Sequence, residues 1–91
     1  MYYFGKGVDK NYEKAFKLWQ GTAEQGYVIA QNNLGLMYDE GNGVKQDYKE
    51  ALKWFGRAAT QGYAVAQYNL GQMYYEGKGV KQDYKEAVKW Y

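Results

Sequence analysis

The sequence specifies an all-α protein, an α-solenoid of antiparallel helix pairs that repeats every 36 residues. Three observations carry this reading. At an offset of 36, residues 37–55 (MYDEGNGVKQDYKEALKWF) face residues 73–91 (MYYEGKGVKQDYKEAVKWY), and 15 of the 19 positions are identical. The exceptions are Asp39/Tyr75, Asn42/Lys78, Leu52/Val88 and Phe55/Tyr91. Within each copy apolar and small residues recur at helical spacings of three and four. Glycine and aspartate punctuate the copies where helices end and begin. Self-similarity at such a period is the mark of a stacked array in which each unit buries its apolar face on the next.

The first helix of a unit runs over residues 28–40 and again over 64–76, with Ala30, Leu34, Met37 and Tyr38 along one side. Gly41 and Gly77 follow it, where a left-handed residue closes a helix. The second helix starts at Asp47 and Asp83, both good N-caps, and Glu50 and Glu86 three residues later complete a capping-box pattern. Asn11 takes the cap position in the earlier copy, with Lys14 where the glutamate would stand, so that cap is expected to be weaker. The second helix carries Tyr48, Ala51, Leu52, Phe55, Ala58 and Ala59 on one side and ends before Gly62. Most aromatics (Tyr38, Tyr74, Tyr48, Tyr84, Trp54, Phe55) are expected in the core. Gly35 and Gly71 lie inside first helices, where glycine costs about 1 kcal/mol relative to alanine; close helix packing is the expected return.

Composition narrows the chemistry. The 91 residues suffice for one small domain, with 46% hydrophobic and 20% aromatic content. There is no Cys, no His and no Pro. Thiolate nucleophiles, imidazole bases and ordinary zinc ligands are thereby removed. Serine is absent too, and Thr22 and Thr60 sit at helix ends with no base in evidence, so a catalytic site is not expected and no cofactor is called for. Net charge is +2, with 12 basic and 10 acidic residues mixed along the chain. The Lys45, Lys49, Lys53 and Lys81, Lys85, Lys89 series reads as a solvated outer face interrupted by Glu50 and Glu86, not a nucleic-acid stripe. No apolar run reaches the length of a membrane span. The opening MYYFGKGVDK lacks the pattern of a secretory signal. Compartment is left open.

The Gly-x-Gly pairs at 41–43 and 77–79 raise the question of a phosphate-cradling loop. Such a loop follows a buried strand and carries Lys-Ser or Lys-Thr at the helix start. Here a helix precedes it, and Asp47 stands at the N-cap, where its charge repels phosphate. The loop is a joint within the repeated unit, with Val44 set to fix it on the core.

The pattern resembles the Sel-one-like repeat, a relative of the tetratricopeptide repeat. The residues that carry the resemblance are Ala30-Gln31, Leu34-Gly35, Met37-Tyr38, Gly41-Asn42-Gly43-Val44, Asp47-Tyr48, Ala51, Trp54, Ala58-Ala59 and Gly62. The next copy supplies Ala66-Gln67, Leu70-Gly71, Met73-Tyr74, Gly77-Lys78-Gly79-Val80, Asp83-Tyr84, Ala87 and Trp90. The resemblance covers the whole chain as one repeat domain, with a partial repeat at 1–27, a full repeat at 28–63 and a partial repeat at 64–91. Leu18 replaces the tryptophan of the pattern in the first copy, with Trp19 one place on, so packing there should differ. The chain starts inside a first helix and stops inside a second, as a fragment of a longer array would.

The resemblance implies a right-handed superhelix whose first helices line a concave face that binds a peptide or partner protein. By position that face takes Ile29, Asn32, Asn33, Leu36, Asp39 and Glu40 in one unit. In the next it takes Val65, Tyr68, Asn69, Gln72, Tyr75 and Glu76, and Tyr3 and Phe4 in the first. The expected contact residues are Asn32, Asn33, Leu36, Asp39, Glu40, Tyr68, Asn69, Gln72, Tyr75 and Glu76. Positions that differ between near-identical units, such as Asn32/Tyr68, Leu36/Gln72 and Asp39/Tyr75, are candidates for surface. Bland roles stand beside this one: Tyr68, Tyr75 and Leu36 serve equally to pack on a neighbouring unit, and Asn33 and Asn69 to brace a turn. The acidic residues favour a basic partner segment. A non-catalytic interaction scaffold is the first reading; structural spacer repeats of a larger signalling or envelope protein, with the partner site elsewhere, is the second. Open ends bearing Tyr2, Tyr3, Phe4 and Val88, Trp90, Tyr91 point to self-association.

Overall fold

The computed structural model of the chain describes residues 9–91, with side chains from Tyr12 onward. Five helices follow in order: α1 (Asp9–Glu24), α2 (Val28–Glu40), α3 (Tyr48–Thr60), α4 (Ala64–Glu76) and α5 (Tyr84–Trp90). Each packs chiefly on the helices before and after it in the chain, as expected of a solenoid. In the 36-residue frame α2 and α4 are first helices, while α1, α3 and α5 are second helices.

Each helix stops for a local reason. Gly41 and Gly77 adopt φ of 73° and 71°, and their N–H groups donate to the Met37 and Met73 carbonyls. A side chain at either position would be strained in this left-handed region. The side chain of Gln46 donates to the Asp39 carbonyl at 2.8 Å and that of Gln82 to the Tyr75 carbonyl at 2.8 Å. These bonds satisfy a second orphan acceptor at each helix end.

Asp47 caps α3 by accepting from the N–H groups of Lys49 and Glu50, and Asp83 caps α5 in the same way. The second half of the expected capping box does not form. The Asp47 N–H donates to the Tyr38 carbonyl at 3.0 Å and the Asp83 N–H to that of Tyr74 at 2.8 Å, so neither needs the glutamate. Glu50 and Glu86 pair instead with Lys53 (3.0 Å) and Lys89 (3.6 Å) on their own helices. Asn11 lies inside α1 and does not precede it; its side chain is outside the described residues.

Two buried clusters run along the stack. One joins Ala51, Phe55, Ala58 and Ala59 of α3 to Ala66, Leu70 and Met73 of α4. The other joins Ala23 of α1 to Ala30 and Leu34 of α2 and Trp54 of α3, with Phe16 and Trp19 against it. The core therefore lies between units as much as within them, which is how a solenoid is stabilised. Trp19 turns inward where Leu18 stays exposed, the altered packing expected in the first copy. Gly35 sits against the Phe55 ring, and a Cβ there would fall 2.6 Å from Cδ1. Tyr84, expected in the core, is instead exposed. Its counterpart Tyr48 lies beneath Lys78 of the following unit, and Tyr84 has no such cover.

Candidate functional site

The same-side faces of α2 and α4 hold the residues assigned to partner contact. At their N-terminal ends Ile29 and Val65, equivalent in the repeat, are 56% and 49% exposed. Neither helix contains Lys or Arg, and Asp39, Glu40 and Glu76 give the pair its charge. Eleven of the twelve basic residues fall instead on the second helices and the segments leading into them, and the twelfth, Lys6, lies outside the described residues. Charge is thus segregated: first helices acidic, second helices rich in lysine.

Several expected contact residues are engaged inside the molecule. Asn32 is 3% exposed, and its Oδ1 accepts from Asn69 Nδ2 at 3.0 Å. This bond joins α2 to α4 across the unit boundary, so both carboxamides brace the stack. Leu36 packs against the α3–α4 cluster. Gln72, its counterpart, accepts from the Tyr91 hydroxyl and donates to Glu76 at 3.5 Å. Where one unit has the apolar positions Leu36 and Phe55, the next has a hydrogen-bonded Gln72 and Tyr91. Asn33 is half-buried, whereas Glu40 is exposed and accepts from Asn42 Nδ2 at 2.9 Å.

Lys78 gathers the remaining acids. Its Nζ lies 3.2 Å from Glu76 and 3.9 Å from Asp39, and 5.3 Å from the centroid of the Tyr48 ring. The hydrogen bond to Glu76, aided by the charge of Asp39, raises the affinity of the Lys78 amine for its proton above the ordinary lysine value against partial burial. Asp39 Oδ1 is closed to solvent without a hydrogen bond of its own. The loop cation therefore offsets its desolvation.

Tyr68 and Tyr75 remain exposed. Tyr68 lies 5.6 Å from Tyr91 and Tyr75 lies 5.1 Å from Tyr84, measured between ring centroids. Tyr68 and Gln72 also line a depression of about 480 Å³ with Ala64, Gln67, Trp90 and Tyr91. Tyr3 and Phe4 lie outside the described residues.

Two residues that the sequence marked only as part of the repeat pattern hold the units together. Gln31 Nε2 donates to the Ala23 carbonyl at 3.2 Å, and Gln67 Nε2 donates to the Ala59 carbonyl at 3.2 Å. Each thus closes the C-terminal turn of the preceding second helix. Gln31, 4% exposed, also accepts from Gln61 Nε2 at 2.8 Å. Their signal was present: a glutamine identical in both copies, set among apolar positions. As for reactive groups, the Thr22 and Thr60 hydroxyls donate to the Leu18 and Arg57 carbonyls, both at 3.0 Å. No group of metal-ligating side chains occurs among the described residues. No helix among them is long and apolar enough to cross a membrane.

A repeated helix pair, locked to its neighbours by glutamine and asparagine bridges, defines a helical-repeat solenoid. A family profile described as Sel1 repeat matches residues 1–27, 28–63 and 64–91, and the chain belongs to that family. Proteins built of Sel1 repeats generally mediate protein–protein interaction and are generally non-catalytic. Among solved structures, the chain is similar to a protective antigen present in uropathogenic Escherichia coli strains and displaying an SLR fold. There the TM-score is 0.86 at 47% identity, over 87% of this chain and 17% of that one. It is also similar to a Sel1 repeat protein from Oxalobacter formigenes, with a TM-score of 0.81 at 42% identity, over 86% of this chain and 32% of that one. The chain thus spans under a third of either structure. A search of curated proteins returns no match.

Proposed function

We propose that this chain is a non-catalytic interaction scaffold that holds a peptide or partner protein across the exposed faces of α2 and α4. The observation that carries this reading is the pair Ile29 and Val65, equivalent in the repeat and left exposed on helices whose leucines and methionines are buried or half-buried. From them the face runs past Asn33 to the acidic ends at Glu40 and Glu76, with Tyr68 and Tyr75 at its far border. Tyrosine offers apolar area and a hydroxyl at low entropic cost. The acidic ends favour a partner segment with an apolar anchor and a basic residue.

One observation favours a second reading, in which these are spacer repeats of a larger protein with its partner site elsewhere. Asn32, Asn69, Gln72, Asp39 and Glu76 all bond within the stack. Capture from lysate of the source organism separates the two. The wild-type chain and an Ile29→Asp/Val65→Asp variant serve as baits, since these changes leave every named bridge intact. A protein retained by the first and lost from the second supports the scaffold. Equal retention by both, or none by either, supports the spacer.

A further inference from the structure

The loop between α2 and α3 carries Asn42-Gly43, and Asn42 is the one asparagine of the chain that precedes a glycine. The equivalent residue is Lys78 in the next copy and Lys6 in the first. Asn42 is half-buried in a non-helical segment. Its N–H donates to the Met37 carbonyl at 3.0 Å and its Nδ2 to Glu40 Oε1 at 2.9 Å, so main chain and carboxamide are both held. The Gly43 N–H, one residue on, donates to no group among the described residues. Gly43 itself, at φ 77°, is pressed on α1. A Cβ there would fall 2.6 Å from the Tyr12 carbonyl carbon and 3.1 Å from the Glu13 nitrogen. Gly79 meets the backbone of Tyr48 in the same way one unit later. The loop is thus a close backbone joint between units, with a reactive pair at its centre.

We propose that Asn42 is a site of spontaneous deamidation in the folded chain, and that its isoaspartate product releases this loop from α1. The Gly43 nitrogen gives its proton to base in the solvent and attacks Asn42 Cγ. The N–Cγ bond forms, the Cγ–Nδ2 bond breaks, and Nδ2 takes a proton from water and leaves as ammonia. Glycine has no side chain to hinder this approach, and the attacking N–H gives up no hydrogen bond within the described residues. The cyclic imide then takes up one water. Opening at Cγ gives aspartate with an ordinary backbone, and opening at the main-chain carbonyl carbon gives isoaspartate, whose backbone runs through Cγ. No electron is gained or lost. Either product places a carboxylate beside Glu40, a like-charge contact. Isoaspartate also lengthens the main chain next to Gly43, where the fit against Tyr12 and Glu13 leaves no room for a side chain. Lys78 has no carboxamide, so the equivalent joint of Gly79 on Tyr48 is immune. The proposal does not depend on the partner-binding reading, because it concerns the joint and not the faces that carry Ile29 and Val65.

Incubation of the full chain in mildly alkaline buffer, followed by isoelectric focusing and peptide mapping, tests this. The net charge is expected to fall from +2 to +1, with isoaspartate at position 42. Asn42→Lys, which carries the residue of the other two copies, is expected to show no such acidic step. A peptide of residues 37–46 serves as the unfolded reference, and circular dichroism checks that chain and variants are folded. A folded chain that stays intact while the peptide converts overturns the proposal. So does an acidic step that persists in Asn42→Lys. Asn42→Asp reproduces the charge of the product with an ordinary backbone, so it separates charge from lengthening. The isoaspartyl fraction is expected to melt below Asn42→Asp and to exchange its α1 amide hydrogens faster. Equal melting and equal exchange overturn the release of the loop.

Discussion

Glycine 35 and glycine 71 occupy the same position in the repeat but face different neighbours. A Cβ at Gly35 would lie 2.6 Å from two atoms of Phe55, itself 2% exposed and held on all sides. At Gly71 the nearest atoms are 3.0 Å away on the exposed ring of Tyr91, with the Ala87 carbonyl at 3.1 Å. Alanine gains about 1 kcal/mol of helix propensity at either site. Overpacking costs about 1–3 kcal/mol where nothing can move. Gly35→Ala is therefore expected to destabilise clearly and Gly71→Ala to stay near neutral, as read by urea denaturation; equal losses would contradict this packing account. A leucine at Gly71 is too large for that gap and is expected to unfold the unit. That both glycines mark close helix packing was legible from the interrupted helical pattern. Which one is indispensable was not, because that depends on how firmly the opposing ring is held.

At the scale of the element, caps and joints carry the regularity of the repeat. Asp47→Ala removes two N-cap bonds and is expected to cost about 1 kcal/mol. Glu50→Ala is expected to cost a few tenths at most, since the Asp47 N–H is already taken by Tyr38 and an exposed pair with Lys53 contributes little. Thermal melts of the two variants check this ordering. Lys78 joins two units, and its substitution by Asn, the residue of the preceding copy, should lower the melting temperature slightly. Because folding raises the Lys78 pKa, its contribution is fully present below the ordinary lysine value of about 10.4. It is lost as pH climbs through the folded value. The difference between wild type and Lys78→Asn should then hold steady from pH 7 to about 10 and shrink above that. A difference that vanishes near neutrality would show that the latch does not act through its charge.

For the whole molecule, periodicity told more than composition. The 36-residue offset placed α2 and α4 at their observed bounds and α3 and α5 directly after their aspartate caps, because identical segments meet identical surroundings. It was less able to place surface. Asn32 differs from Tyr68 in the next copy, and difference was read as exposure. Asn32 is buried where Asn69 of α4 bonds it, whereas Tyr68 is 56% exposed beside the Tyr91 ring. Two of the four mismatches in the aligned segment, Asp39/Tyr75 and Asn42/Lys78, meet in space, since Asp39 of one unit pairs with Lys78 of the next. A single chain with so few copies does not reveal that such differences are linked.

The proposed seating of a partner across α2 and α4 is tested most directly by hydrogen exchange on this chain with the captured partner bound. Protection gained over residues 29–40 and 65–76, with the outer lysine face of α3 unchanged, is the predicted result. Protection confined to α3 and α5, or none on any helix, would contradict a partner seated across α2 and α4.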